Sequence, residues 1–230
     1  MKTIALVLAF SSSLWAMATP FEKDCAALES LADSARLTKL LERVWKYQME
    51  EFPEYATSVG YPGQNRRWTD RSLEAYRRRF AELDAPWKVL QSIRRAVLRP
   101  DAQLNYDLFK YSLAEAREAR AYHEEVLAVS LLSGIQNEAP QAMSLMPRNT
   151  VADYEDMIAR LEALPIALRQ VEGLLREGMR LGITYPKVAI EKALAQFDAL
   201  VAQKVEQSAL LEAFADFPPE VDAAARSEER

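Results

Sequence analysis

Apolar residues recur at intervals of three and four positions along most of the chain, which is the spacing of a buried helical stripe. The clearest case begins at Thr150, where Asp153 stands at the position of a capping-box acid. Only six glycines interrupt the chain, and alanine and leucine outnumber the β-branched residues. No segment alternates with the period of a strand. The sequence therefore predicts an all-α protein, a multi-helix array joined by irregular loops.

Proline and glycine predict where these helices begin and end. Pro53 should end the first helix, Pro86 should break the second, and Pro165 should kink the long helix after Thr150. Residues 53–70 and 126–147 are rich in turn residues or lack a sustained period, so they are predicted loops. The predicted helices run from Asp24 to Phe52, from Asp70 to Arg99, from Pro100 onward, from Asn149 to an end at Gly178 and Gly182, and from Pro186 onward.

The first eighteen residues have the features of an export signal. Lys2 gives a short positive region, residues 3–14 form an apolar run, and Ala16 to Ala18 match the small-x-small cleavage pattern. Cleavage is expected after Ala18, so residues 1–18 are a predicted signal peptide. An uncleaved anchor or a buried helix is the alternative, although the run is short for a membrane span. The remaining residues, 19–230, are expected to be periplasmic or extracellular, with no stable membrane anchor.

A single cysteine and a single histidine exclude several kinds of site. An internal disulfide framework, a zinc ribbon and any site with two imidazoles are all impossible within this chain. His123 precedes a Glu, as in a metallopeptidase helix, but the position of the second histidine is occupied by Leu127. We therefore expect His123 to be a surface residue and Cys25 to be an inert thiol, and we identify no catalytic or metal-binding residue.

The charge of the chain gives no basic footprint for nucleic acid. The formal net charge is −5, and the one basic concentration lies between Arg66 and Arg79. Acidic residues lie within it, and Glu74 and Arg78 have the spacing of a helical ion pair. A solvated, salt-bridged helix face is therefore favoured over an oligonucleotide site, and no nucleic-acid partner is expected.

Aromatic residues cluster in the predicted loop that follows Pro53. Tyr55, Tyr61 and Trp68 lie there together with Asn65. Aromatic residues on a loop can line a binding cleft, or they can hold the loop against the helices beneath it. The sequence leaves both interpretations open, with the packing role favoured.

Two long stretches carry a resemblance to a known family. The motifs are FPEYATSVGYPGQNRRWTDRSLEAYRRRF at 52–80 and LSGIQNEAPQAMSLMPRNTVADYEDMIARLEALP at 132–165, continued by LREGMRLGITYPKVAI at 175–190. LNYDLFKYSLAEA between them and FADFPPEV near the end also fit. In one collinear order, these segments resemble the N-terminal half of the domain-of-unknown-function 885 (DUF885) family. Its members are exported bacterial proteins regarded as zinc metallopeptidases.

This resemblance implies a truncated chain. Family members are longer, and their His-Glu-x-x-Pro-Gly-His zinc motif lies in the C-terminal half, which no residue here matches. Residues 19–230 would then be the N-terminal part of a larger zincin-like helical fold. Zinc, the peptide substrate and a C-terminal catalytic half as partner are implied for the complete protein only. Within the matching stretches, the candidate cleft-lining residues are Tyr61, Asn65, Trp68, Gln136 and Asn137.

The sequence also departs from the family pattern. Residues 128–131 read Ala-Val-Ser-Leu where Pro-Val-Asn-Gln is usual, and Tyr185 replaces the first proline of a Pro-Pro pair. We predict a non-catalytic helical region of an exported metallopeptidase, inactive alone. The alternative is a stand-alone exported helical protein that binds or acts as a scaffold without enzymatic activity. A fragment should expose apolar surface along 190–205 and 126–146, whereas a stand-alone protein should not.

Overall fold

A computed structural model describes residues 17–215 and 217. Within these residues the chain forms nine α-helices and five short 3-10 segments, and no strand. The prediction of an all-α fold is confirmed. The predicted signal peptide lies almost entirely outside the described residues. The α-helices are α1 (Pro20–Ala26), α2 (Asp33–Glu51), α3 (Pro53–Ser58), α4 (Leu73–Glu82), α5 (Asp84–Gln91), α6 (Pro100–Ala119), α7 (Ile135–Ser144), α8 (Val151–Leu181) and α9 (Lys187–Ala202).

The predicted ends of α8 match the structure closely. The hydroxyl of Thr150 accepts a hydrogen bond from the Asp153 amide at 3.2 Å, and the Asp153 carboxylate accepts one from the Thr150 amide at 2.9 Å. These reciprocal bonds satisfy amides that the first helical turn leaves without partners. Gly182, with φ +73°, ends the helix. Pro165 lies inside this single helix of 31 residues.

The first two predicted helices are each divided in the structure. A 3-10 segment and an extended residue, Leu31, separate α1 from α2. α2 ends at Glu51, directly before Phe52 and Pro53, as predicted, and Pro53 then begins α3, because the first helical position needs no amide hydrogen. The second predicted helix begins at Ser72, whose hydroxyl caps α4, and changes direction at Leu83. Pro86 lies in the first turn of α5, where a proline is tolerated for the same reason.

The segment 126–147, predicted to be irregular, contains α7. Pro140 lies inside this helix, and Gly134 precedes it with φ +130°. A Cβ atom on Gly134 would lie 2.5 Å from the side-chain oxygen of Gln136 and 3.2 Å from the carbonyl of Ala128, so a glycine is required there. The prediction of a loop failed because this glycine and this proline both occur beside or within a buried helix.

Three clusters of buried apolar residues hold the helices together. The first joins α1, α2, α5 and α6 around Leu40 and Leu90. The second joins the loop before α4 to α7, α8 and α9 through Trp68, Ile135 and Val171. The third joins the end of α7 and the start of α8 to the last 3-10 segment, with Met143, Met146, Tyr154, Met157 and Phe214 at its centre.

Apolar surface remains uncovered along α9. Ala193 is the one buried residue of this helix, whereas Val188, Leu194 and Val201 are exposed. The expected apolar surface along 190–205 is therefore present. In the segment 126–146 most apolar residues are buried or partly buried, whereas Leu131, Leu132 and Leu145 are exposed, so the expected apolar surface is present there only in part. Among the described residues, no helix combines the length and the hydropathy that a membrane crossing requires.

Candidate functional site

The loop of residues 59–72, which joins α3 to α4, is held firmly against α8. Trp68 is 8% exposed, and its indole nitrogen donates a hydrogen bond to the Arg160 carbonyl at 2.7 Å. Asn65 accepts a hydrogen bond from the Thr57 hydroxyl at 2.9 Å, and Tyr61 is half-buried. These contacts correspond to the packing role considered for this loop. None of these side chains lines either of the two cavities described below.

The guanidinium of Arg160 holds the same loop from beneath. The side chain is fully buried, and it donates to the carbonyls of Arg67 at 3.1 Å and Gln64 at 3.0 Å and to the Thr57 hydroxyl at 2.9 Å. It lies 5.5 Å from the ring centroid of Trp68. No carboxylate forms an ion pair with it among the described residues. Burial therefore lowers the pKa of Arg160 to about 10, although Glu54 and Asp156 act in the opposite direction.

Gln136 and Asn137 lie at the start of α7, away from the 59–72 loop's polar contacts. The amide of Gln136 is buried and donates to the Ser130 carbonyl at 2.7 Å, while Asn137 is exposed and donates to the Leu131 carbonyl at 3.2 Å. Gln196 of α9 donates to that same Leu131 carbonyl at 3.2 Å. The two residues thus order residues 130–133 rather than facing a large cavity.

A groove lies between α2, α4, α5 and α6. Its volume is about 730 Å³. Phe21 of α1 closes one end by stacking on Tyr47, with ring centroids 4.0 Å apart. We call it the aromatic groove, because seven aromatic side chains line it: Phe21, Trp45, Tyr47, Phe52, Tyr76, Phe80 and Phe109. A concave, mostly apolar surface of this size is typical of a ligand site.

A network of charged groups forms the polar end of the aromatic groove. The carboxylate of Glu82, which is almost fully buried, accepts hydrogen bonds from the Tyr47 hydroxyl at 2.5 Å and from Arg78 at 2.9 Å. Arg78 also donates to Glu51 at 2.6 Å, and Arg79 donates to the same Glu51 oxygen at 3.2 Å. Two guanidiniums therefore face two carboxylates, and their formal charges cancel.

Arg79 connects this network to the aromatic walls. Its guanidinium carbon lies 4.8 Å from the ring centroid of Tyr76 and 5.5 Å from that of Phe52. Its second amino group donates to the Asp70 carbonyl at 2.7 Å. Two amino groups of Arg79 donate hydrogen bonds within the protein, and its guanidinium lies against the rings of Tyr76 and Phe52. Arg79 therefore offers no free charge to a ligand.

The titration behaviour of the aromatic groove follows from this arrangement. Burial, together with the hydrogen bond to Glu82, raises the pKa of the Tyr47 hydroxyl. The hydrogen bond to Glu51 raises the pKa of Arg78. Burial also raises the pKa of Tyr76. The phenols therefore stay neutral and the guanidiniums stay charged near neutral pH, so the aromatic groove presents an electrically neutral, apolar surface.

The family model for bacterial proteins of unknown function, DUF885, matches residues 53–230. The chain belongs to the DUF885 family. A comparison with curated proteins finds no match. The matched segment includes α4, α5 and α6, whereas α1 and α2 precede it. One wall of the aromatic groove thus lies inside the part that matches the DUF885 family model, and Phe21, Trp45 and Tyr47 lie outside it.

In this DUF885 protein, four of the six arginines in the basic concentration form ion pairs: Arg66, Arg71, Arg78 and Arg79. Arg71 donates to Glu138 at 2.6 Å and to Glu54 at 3.3 Å, and Arg66 donates to Asp156 at 2.9 Å. With the pairs made by the arginines of the aromatic groove, these contacts give the salt-bridged surface that the sequence indicated. They also join α3, α7 and α8, since each pair links residues far apart in the chain.

Among the described residues, neither the cysteine nor the histidine belongs to an arrangement of side chains that would support nucleophilic catalysis. Cys25 is buried, and this burial raises the pKa of its thiol to about 12, with the Asp24 carboxylate adding to the effect. His123 lies on the surface with φ +53° and contacts Glu125 at 3.2 Å. Within residues 17–215 and 217, no three histidine, cysteine, aspartate or glutamate side chains are grouped so as to hold a metal ion. These residues do not fit zinc.

Proposed function

We propose that this chain is a non-catalytic, helical, peptide-binding region of an exported DUF885 zinc metallopeptidase. The aromatic groove carries the proposal, because it offers an extended apolar surface of about 730 Å³ without a net charge. Apolar side chains of a peptide would occupy it. The peptide chemistry and the zinc belong, in this proposal, to the C-terminal catalytic half of the complete protein.

The aromatic groove favours apolar over charged side chains for an energetic reason. Transfer of a leucine or phenylalanine side chain from water to such walls contributes about 1.5–3 kcal/mol. A charged side chain would instead lose its hydration, and it would find Glu51, Glu82, Arg78 and Arg79 already paired with one another. Peptides with several bulky apolar residues should therefore bind best.

The exposed face of α9 supports a partner surface in the same proposal. Leu194 and Val201 are exposed and lie two helical turns apart, so they share one face of a helix with a single buried residue. Isolated apolar surface residues are ordinary, but a helix face of this kind is typical of an interface. The C-terminal catalytic half is the partner that we propose for it.

The alternative is a stand-alone exported binding protein, and one observation favours it. The aromatic groove is formed entirely by residues 21–119 of this chain, so a ligand could bind without any contribution from another half. Under this alternative, peptide binding would occur but would never be coupled to hydrolysis.

Peptide binding by calorimetry tests the groove. An apolar pentapeptide such as Ala-Leu-Phe-Leu-Ala should bind, whereas the peptide with Asp at the three central positions should not. Trp45→Ala, at the rim of the aromatic groove, should weaken binding by about tenfold, equivalent to about 1.4 kcal/mol. Tyr122→Ala is the matched control, since Tyr122 is exposed and lies outside the groove. Equal binding of both peptides would contradict the proposal.

A complementation assay separates the two functions. The chain alone, freed of metal, should not hydrolyse the apolar peptide. Hydrolysis should begin when the separately produced C-terminal half of a DUF885 protein is added with zinc. Hydrolysis by the metal-free chain alone would refute the proposed function, and peptide binding without any complementation would favour the stand-alone alternative.

A further inference from the structure

A second, smaller cavity lies between α4, the 3-10 segment at Glu124–Val126 and the C-terminal end of α8. Its volume is about 270 Å³, so it can hold only a small ligand. One side is apolar, with Leu73, Tyr76, Phe80 and Leu181. The other side carries charged or titratable groups: Arg77, Arg120, His123, Glu125, Glu177 and Arg180. The cavity is therefore amphipathic and contains both signs of charge.

Glu125 supplies an acceptor that lacks a donor. Its side chain is 8% exposed, and its first oxygen contacts the His123 ring at 3.2 Å. Its second oxygen is fully buried, and no donor among the described residues lies within hydrogen-bonding distance of it. A buried carboxylate oxygen without a donor is costly and uncommon. Glu125 lines the cavity, so its carboxylate is an acceptor that a ligand with an N–H donor can approach.

Arg77 supplies the complementary positive charge. Arg180 is paired with Glu177 at 2.6 Å, and Arg120 is paired with Asp84 at 3.0 Å. Arg77 is exposed and forms no ion pair with the part of the chain that the structure describes. Arg77 nevertheless lies close enough to lower the pKa of Glu177, together with Arg180, whose hydrogen bond is the main cause, and with His123. Its guanidinium is thus available to a carboxylate in the cavity.

We propose that this cavity binds a zwitterionic, apolar α-amino acid. The ammonium group of the ligand donates to the Glu125 carboxylate, its carboxylate contacts Arg77, and its side chain packs against Leu73 and Phe80. Three arginines around the cavity disfavour a metal ion or a simple amine. The small volume disfavours a nucleotide.

This site is distinct from the aromatic groove and goes beyond the proposed function. Tyr76 and Phe80 of α4 separate the two, since each side chain lines both cavities. Amino-acid binding here requires neither peptide binding in the groove nor a catalytic half. Failure of the peptide experiments would leave this proposal unaffected, and the reverse also holds.

Calorimetry with three matched probes tests the proposal on the purified chain. L-Leucine should bind with a stoichiometry of one. L-Leucinamide lacks the carboxylate and 4-methylpentanoate lacks the ammonium group, and each should bind at least about tenfold more weakly. Absence of binding at millimolar leucine, or equal affinity of leucine and either analogue, would overturn the proposal.

Two substitutions locate the site. Glu125→Gln and Arg77→Met should each weaken leucine binding by about tenfold or more. Glu74→Gln is the control, because Glu74 lies on α4 but is exposed outside the cavity. Circular dichroism verifies that each variant is folded. Arg77 is exposed, so Arg77→Met tests the site even if the buried Glu125 proves essential for folding. Unchanged affinity in Arg77→Met would overturn the proposal.

Discussion

The 59–72 loop and the aromatic groove both place aromatic rings against a buried arginine, but only the groove is open. In the loop, Trp68 donates to the Arg160 carbonyl and Arg160 donates to loop carbonyls. The indole ring of Trp68 and the guanidinium of Arg160 therefore pack against each other. In the groove, Arg79 is held by Glu51 and the Asp70 carbonyl, and Tyr47 donates to Glu82 at the polar end, while the other aromatic walls border open space.

The difference lies in what satisfies the charge. A guanidinium that donates to backbone carbonyls orders the chain segment that carries those carbonyls. That segment then packs around the guanidinium. A guanidinium that is paired with carboxylates on neighbouring helices is satisfied at the helix surface. Arg160 is of the first kind and orders a loop, whereas Arg79 combines the two: it pairs with Glu51, donates to a single backbone carbonyl, that of Asp70, and lines the aromatic groove.

Removal of Arg160 should have the largest effect on stability. Arg160→Met would leave the carbonyls of Gln64 and Arg67 and the Thr57 hydroxyl without this donor, and each such loss costs about 1–3 kcal/mol. Removal of the buried charge offsets part of this, so we expect a loss of about 3 kcal/mol.

Urea denaturation measures the effect, with Arg169→Met as the control on the exposed face of the same helix. Arg169→Met should change stability by less than about 0.5 kcal/mol. Equal stability of Arg160→Met and the unmodified chain would show that the carbonyl contacts of Arg160 do not hold the loop, and the contrast with Arg79 would disappear.

The helical caps could be predicted from sequence because they are local, whereas Arg160 and the aromatic groove could not be predicted in the same way. The bonds of Thr150 and Asp153 need only four consecutive residues. The groove combines Phe21 with Phe109, which are far apart in the chain. A signal for Arg160 did exist, since it lies three positions after the buried Met157 and seven before the buried Ala167, on the inward stripe of α8.

Substitution of one tryptophan in each region, Trp68 in the loop and Trp45 in the groove, should give a smaller difference in the free energy of unfolding. Trp68→Phe removes the indole donor to the buried Arg160 carbonyl, which should cost about 1 kcal/mol. Trp45→Phe, at the open rim of the groove, should cost less than about 0.5 kcal/mol. Chemical denaturation of both variants is the measurement, and equal losses would show that the rim is as tightly packed as the loop.

Alkaline pH should affect the two regions in opposite directions. The pKa of Cys25, near the groove, is raised to about 12, so its contribution to stability is complete below pH 9.0 and is lost as pH rises toward 12. The pKa of Arg160 is lowered to about 10, so above that pH the folded state releases a proton that the unfolded state still retains. This second change raises the free energy of unfolding as pH increases.

Denaturation at pH 8, 9, 10 and 11 separates the two groups. The free energy of unfolding should fall between pH 9 and 10, with up to about 1.4 kcal/mol per pH unit from Cys25. Cys25→Ala should reduce this fall without abolishing it, because the raised pKa values of Tyr47 and Tyr76 act in the same direction. Arg160→Met should retain the fall and should show a steeper one above pH 10 than the unmodified chain. A fall of the same size in Cys25→Ala would assign the titration to another group.

The smallest expected effect concerns the contact between the two regions. Tyr55 of α3 was grouped with the loop aromatics in the sequence, but its ring packs edge-on against Trp45 of the aromatic groove, with centroids 6.1 Å apart. Both rings are partly exposed, so their coupling should lie at the lower limit for aromatic pairs, about 0.5 kcal/mol. A double-mutant cycle of Trp45→Ala and Tyr55→Ala measures it by denaturation. A coupling above about 1.5 kcal/mol would mean that α3 and the groove rim form one packed unit, so that loop and groove could not respond to substitution independently.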